Sequence, residues 1–239
     1  MSAEGPAADL DTGTQVEIGS AEQAALSAAS IALQLPVSSA QLAAMLSYLA
    51  LLRRWNATFN LTAIRDPRAM VTQHLVDCLA ACAAMRPMLS PATGTAESLR
   101  ILDVGSGGGL PGVVLAIMNP GWSVTCIDAV AKKAAFVRQV AGTLPLHNLH
   151  AEHGRVELWR GAPFDLIAAR AFASLAHLAR LTRPLLAPGG RWMAMKGQTP
   201  QAEVDALPPE VEAFHVEQLT VPELDAHRCL VWMRLRRDT

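Results

Sequence analysis

The chain has no run of about 18 consecutive apolar residues, so it offers no candidate membrane-spanning helix. Its first twenty residues, MSAEGPAADLDTGTQVEIGS, hold no lysine or arginine. That excludes the basic start of a secretory signal, and the stretch reads as a disordered acidic tail over residues 1–20. Cysteine is scarce. The four present, Cys78, Cys82, Cys126 and Cys229, are scattered, which excludes a disulfide framework and suits a reducing cytoplasm. Cys78 and Cys82 stand four apart in an apolar helical pattern and read as core. Lysine is nearly missing too: of 20 basic residues only Lys132, Lys133 and Lys196 are lysine. Residues 1–52 carry no basic residue at all, so residues 53–239 set all 20 basic residues against 16 of the 21 acidic ones. That mild positive bias is compatible with an anionic partner and with an ordinary solvated surface.

What is present is a large apolar fraction, 51% of 239 residues, enough to bury a full core. Up to about residue 95 the pattern is helical. AEQAALSAASIALQL predicts a first helix; after Pro36, Ser38 or Ser39 caps a second that ends near Asn56. Asp66-Pro67 starts a third, AMVTQHLVDCLAACAAM, and Pro87, Pro91 and Gly94 end this part. From Leu99 the rhythm changes. LRILDVG, WSVTCIDA, LHAEHGRV, PFDLIAARAF and GRWMAMKG read as strands, with helical segments between most of them and the turn APGG before the fifth. Such alternation predicts a doubly wound α/β fold with a parallel sheet. VEAFHVEQLTV and RCLVWMRLR, with no helix pattern between them, predict an antiparallel hairpin on its edge. The division expected is a tail (1–20), a helical region (21–95) and an α/β domain (96–239).

The chemistry concentrates in ILDVGSGGGLPGVVLAI, where a strand ending in Asp103 passes through glycines into an apolar helix. In doubly wound sheets ligands bind outside the carboxyl ends of the strands, where strand order reverses. Gly107-x-Gly109-x-x-Gly112, with Asp128 21 residues past Gly107, fits a dinucleotide fingerprint, so an NAD-dependent oxidoreductase competes. Three features favour S-adenosylmethionine. The frame Asp103-x-Gly105-x-Gly107-x-Gly109 puts an acid beside the loop, which suits a ligand bearing ammonium and sulfonium groups better than a pyrophosphate. LLAPGG precedes the fifth strand, and the terminal hairpin caps the sheet. Glycines then let backbone N–H groups approach the ligand, and Asp128 accepts from ribose hydroxyls.

NLTAIRDP, HLVDCL, DVGSGGGLPG, RAFASL and MKGQ, in this order, resemble the ribosomal RNA small subunit methyltransferase G family, also called glucose-inhibited division protein B, over roughly residues 38–235. The resemblance implies a Rossmann-like class I methyltransferase fold, a mostly parallel seven-stranded sheet with a C-terminal hairpin behind a small helical region. It implies S-adenosylmethionine-dependent methylation of N7 of a guanine in 16S ribosomal RNA, in the decoding-region loop, on a 30S particle or assembly intermediate. It carries cofactor contacts onto Gly105, Leu110, Val156, Glu157 and Arg170, and places Asn60, Arg65 and His74 where they orient RNA. One departure is Gly108, where the family's loop often has proline; the extra glycine predicts a more flexible loop. The corresponding expectations are a cytoplasmic monomer without membrane contact or bound metal. A methyltransferase for a small molecule or a protein stands as a further alternative.

The residues suit that chemistry. No cysteine lies between Cys126 and Cys229, which disfavours methylation of a pyrimidine carbon through a cysteine nucleophile. The turn ARAFASL after the fourth strand lacks the Asp/Asn-Pro-Pro-aromatic pattern used for exocyclic amines. Guanine N7 carries a free lone pair on the major-groove edge, so no base has to remove a proton. Arg170 and Lys196, at the carboxyl ends of adjacent strands, are the candidate catalytic pair: Arg170 to orient cofactor and substrate, Lys196 to contact RNA or orient the guanine. Arg155 is a further RNA candidate. A surface ion pair is the competing reading for each.

Overall fold

The computed structural model describes residues 19–89, 98–198 and 200–236. The expected tail, apart from its last two residues, and the expected boundary near residue 95 lie outside these. Four helical segments come first. In α1 (Ser20–Ala32), Leu26 and Ala29 face inward. At the start of α2 (Ser39–Phe59) the Ser38 hydroxyl accepts from the Gln41 amide at 3.2 Å and the Gln41 side chain accepts from Ser38 N–H at 2.9 Å, a reciprocal cap. The helix runs three residues past the expected Asn56 and stops at Asn60, which is left-handed at φ 50°. Asn56 does not end it because its buried side chain holds the next turn, accepting from Thr62 N–H at 2.9 Å.

Asp66 caps α3 (Pro67–Met70), accepting from Ala69 N–H at 2.8 Å, with Pro67 at the first helical position. A π-helical turn, Val71–Val76, follows and runs into α4 (Asp77–Met88). Such turns admit an extra residue and re-aim side chains, often at functional sites. Here His74 and Asp77 are both turned inside.

The sheet comprises β1 (Arg100–Val104), β2 (Ser123–Asp128), β3 (Leu149–His153), β4 (Phe164–Arg170), β5 (Leu186–Lys196), β6 (Val211–Leu219) and β7 (Arg228–Leu235). Its order is β3-β2-β1-β4-β5-β7-β6. The first five strands are parallel, and β7 runs antiparallel to both neighbours. Helices α5 (Gly112–Met118), α6 (Ala131–Thr143) and α7 (Leu175–Thr182) link the parallel strands, and α8 (Gln201–Asp205) precedes β6. No periodicity marks α8, which has a single turn and no buried residue. APGG does not stand before β5. It is absorbed into it, because Leu186 already pairs with Phe164 and the ladder resumes at Arg191–Leu166 after an irregularity.

Apolar side chains gather on both faces of the sheet. One cluster joins Leu26, Leu49 and Leu79 of the N-terminal helices to Val114, Phe136 and Trp232. The other sets Leu178 of α7 against Ile167, Trp192 and Val231. The N-terminal helices therefore share a core with the α/β part. Strand order reverses between β1 and β4, and that crevice positions the site.

Candidate functional site: two cavities at the carboxyl edge of the sheet

A cavity of about 320 Å3 lies beyond β1 and β2, within the range of small-ligand sites. Val104, Ile127, Val156, Phe172 and Leu181 give it apolar walls; Gly105, Asp128, Arg155, Glu157 and His177 supply polar groups. Gly105 is left-handed at φ 65°, and the ring of Phe172 packs where its Cβ would be. Only glycine fits there. Arg155 donates to Glu157 at 2.7 Å, and Glu157's own backbone N–H, followed by this bond, holds that carboxyl below its usual range.

Side chains from three directions hold the loop above this cavity. From β2, Asp128 accepts from Gly107 N–H at 2.9 Å and from Val130 N–H at 2.8 Å. A carboxylate offers about four acceptor sites, so two remain for ligand hydroxyls. From β1, Asp103 accepts from Gly112 N–H at 2.8 Å. From α2, the Tyr48 hydroxyl donates to the Gly108 carbonyl at 2.7 Å. Tyr48 is fully buried, and burial raises its phenol well above the ordinary value, so it stays a donor. The carbonyl of Gly108, the position expected to make the loop more flexible, is thus held from α2. A Cβ there would meet Leu52 Cδ1 at 3.3 Å.

Four expected cofactor contacts are placed differently. Asp103 is not in the cavity wall: it is wholly buried beneath the loop, between Gly112 and Cys126, and burial pushes its carboxyl up to about 7. Leu110 is buried and also absent from that wall. Gly107 and Gly109, at φ 59° and 85°, shape the turn rather than line the cavity.

A second cavity of about 400 Å3 lies beyond β4 and β5. Its lining includes His74, Asp77, Arg170, Ala171, Met195, Lys196 and Arg228. Arg170, expected to touch the cofactor, faces this cavity and not the first. It donates to Asp77 Oδ2 at 3.2 Å and to the Gln73 carbonyl at 3.0 Å. Arg228, from β7, donates to Asp77 Oδ1 at 3.0 Å. One buried carboxylate thus ties two guanidiniums together.

Lys196 stands at the end of β5 as expected, but not as a free cation. Its ammonium donates to Glu203 Oε1 and Oε2 at 3.0 and 2.8 Å and to the Ala173 carbonyl at 2.9 Å. An ammonium has three N–H donors, and all three are used. His74 Nε2 is 3.1 Å from the Thr62 hydroxyl. Burial, helped by the nearby Arg170 charge, lowers His74 to about 4, so it is neutral near pH 7.

The structure brings His74, Arg170 and Lys196 together and leaves Asn60 and Arg65 outside both linings, where Arg65 donates to Asn60 at 2.6 Å on the surface. Sequence reasoning missed Asp77, Arg228, Glu203 and Tyr48. Only Asp77 had a signal, inside the quoted HLVDCL; its partners lie 93 and 151 positions away in the chain. Burial raises the thiols of Cys78, Cys82 and Cys126, and none of them lines either cavity.

The first cavity fits S-adenosylmethionine in two respects: apolar walls flank a side-chainless Gly105, and Asp128 keeps free acceptor capacity. Comparison with known proteins agrees. The sequence matches the family described as rRNA small subunit methyltransferase G over residues 41–231. It is 60% identical over 205 residues to the ribosomal RNA small subunit methyltransferase G of Leptothrix cholodnii, covering 86% of this chain and 92% of that one. It is 51% identical over 220 residues to the protein of that name from Paracidovorax citrulli, covering 90% of each. Among solved structures, TrmN from Thermus thermophilus shares the fold, with a TM-score of 0.50 and 18% identity over 70% of this chain and 53% of that one. These matches set the oxidoreductase reading aside: the chain belongs to the rRNA small subunit methyltransferase G family and is a methyltransferase.

Proposed function

We propose that this enzyme transfers a methyl group from S-adenosylmethionine to N7 of a guanine in 16S ribosomal RNA, in the decoding-region loop, presented by a small-subunit particle. The donor occupies the cavity beyond β1 and β2, the guanine the cavity beyond β4 and β5. In this reading residues 21–95 are the helical region and 96–239 the methyltransferase domain.

One observation carries the choice of acceptor. Among the groups lining the second cavity, none is a competent general base. Both oxygens of Asp77 are taken by guanidiniums, Lys196 is committed to Glu203, and His74 is held neutral with a basicity far below neutral pH. An acceptor that must lose a proton needs a base whose pKa lies near the working pH. Guanine N7 needs none.

When bound, S-adenosylmethionine supplies an electrophilic methyl carbon on sulfur. The chain's part is to align and to exclude water, which can supply about 7–11 kcal/mol of barrier reduction. Val156 and Glu157 hold the adenine end of the cavity and Asp128 the ribose. Arg170, aimed by Asp77, orients the guanine through O6. The methylated purine is cationic, so an unpaired positive charge beside it would oppose the reaction. Pairing Arg170 and Arg228 through Asp77 moderates that repulsion. The surplus of basic over acidic residues across 53–239, 20 against 16, is modest, which suits a structured particle better than bare RNA.

The test is transfer of labelled methyl to 30S particles from cells lacking this protein, with naked 16S RNA in parallel, followed by nucleoside analysis. Label in 7-methylguanosine, stronger on particles than on naked RNA, supports the reading. Label in another nucleoside, or none, overturns it.

A further inference from the structure

The two cavities meet at a single corner of the chain. Ala171 lines the second cavity and Phe172, the next residue, lines the first. Ala171 is left-handed, at φ 52°, a conformation that costs a side-chain-bearing residue about 1 kcal/mol or more. What compels it is the fixing of its surroundings. On one side Arg170 is tied to Asp77 and the Gln73 carbonyl. On the other, Lys196 grips the Ala173 carbonyl at 2.9 Å, and the Glu203 carboxylate accepts from Leu175 N–H at 2.7 Å. Ser174 caps α7 by accepting from His177 N–H at 3.3 Å. Only Ala171 and Phe172 remain between these anchors, and the turn they make lays the ring of Phe172 on Gly105, with Cε2 3.2 Å from the point a Cβ would occupy.

We propose that Phe172 is the wall between donor and acceptor cavities, and that its ring leaves Gly105 when the donor binds and then fixes the methyl group toward the guanine. This rests on the assignment of the two cavities made above. Three observations converge on it. The ring covers the one loop glycine exposed to the first cavity. It is only partly buried, on a two-residue span between fixed points. Its neighbour Ala171 is held left-handed, at φ 52°, between those same anchors. The Lys196–Glu203 pair then holds the corner, which explains why no donor of that lysine is left for RNA.

The experiment has two arms. In the first, the chain is labelled with 4-fluorophenylalanine; its five phenylalanines give five 19F resonances, and Phe172→Leu identifies that of Phe172. Titration with S-adenosylmethionine, without RNA, is expected to shift the Phe172 resonance more than those of Phe59, Phe136, Phe164 and Phe214. In the second, methyl transfer to 30S particles is compared with equilibrium donor binding. Phe172→Ala is expected to lower kcat about 100-fold at saturating donor while changing the donor Kd less than fivefold. Phe172→Tyr, which keeps the flat ring, is expected to stay within about threefold of wild type in both.

A Phe172 resonance indifferent to the donor, or a Phe172→Ala enzyme with unchanged kcat, overturns the proposal. So does a loss of kcat matched by an equal loss of donor affinity, or one that Phe172→Tyr does not rescue. If the wild-type enzyme transfers no methyl to particles, the acceptor assignment fails instead, while the 19F arm still decides whether the ring answers to the donor.

Discussion

The two cavities, proposed to take donor and acceptor, are built by different means. The donor side is backbone: a glycine turn whose N–H and C=O groups are pinned by Asp103, Asp128 and Tyr48. The acceptor side is side chain: a buried carboxylate between two guanidiniums, and a lysine closed on a glutamate. A backbone cradle keeps its shape through local geometry and binds a ligand common to many enzymes. A side-chain cavity depends on residues far apart in the chain and can be specific to one acceptor. Damage to each side should therefore look different.

The largest expected effect is on the acceptor side. Asp77→Ala leaves Arg170 and Arg228 without their shared partner. Losing one member of a buried pair costs about 3–5 kcal/mol; the guanidiniums keep some solvent access, so the expected cost is about 3 kcal/mol, read by urea unfolding. On the donor side, Gly112→Ala pushes a Cβ against Cys126 Sγ and within 2.8 Å of Asp103 Oδ2. Overpacking of this kind costs about 1–3 kcal/mol. Here it should also weaken S-adenosylmethionine binding at least tenfold in calorimetry, because the clash lies directly under the loop.

That contrast also explains what was legible in the sequence. The donor loop announced itself because glycines at 105, 107, 109 and 112 and an acid at 128 are local signals at fixed spacing. All seven strands and the terminal hairpin followed from periodicity. The acceptor cavity gave Arg170 and Lys196 as strand-end residues but not their partners. Asp77 opens α4 directly after a π-helical turn that no hydrophobic period foretells, and Arg228 comes from a strand 58 positions beyond Arg170. Lys196 stands at the strand end as the pattern indicates, and the competing reading of an ion pair is the one seen, but its partner Glu203 sits on α8, a turn too short to leave a pattern. Tyr48 shows the same limit: its apolar neighbours in α2 signalled a helix, but nothing local says that its hydroxyl reaches a loop 60 residues on.

The two sides should also titrate in opposite senses. Burial, only partly offset by the Gly112 N–H, holds Asp103 near 7, above the ~3.9 of an unfolded aspartate. Its contribution is complete below about pH 4 and is lost as the pH rises to 7. Burial and Arg170 hold His74 near 4, below the ~6.5 of an unfolded histidine. Its contribution is complete above about pH 6.5 and is lost as the pH falls to 4. In the wild type these slopes offset each other. Asp103→Asn should uncover stability that rises between pH 4 and 6.5, and His74→Gln stability that falls between pH 4 and 7. Each slope is at most about 1.4 kcal/mol per pH unit, measured by chemical denaturation across that range.

The smallest expected effect tests whether the helical region serves the donor loop. Tyr48→Phe removes one buried hydrogen bond and nothing else, at about 1 kcal/mol. The donor Kd should rise several-fold in calorimetry while kcat at saturating donor stays near wild type. An unchanged Kd would confine Tyr48 to packing.

The division of labour between the cavities is tested most directly by Asp77→Asn, with S-adenosylmethionine binding and methyl transfer to 30S particles measured on the same preparation. The donor Kd is expected to stay within about twofold of wild type and the transfer rate at saturating donor to fall at least 100-fold. A donor affinity that falls in step with the rate, or a rate that survives, rules the division out.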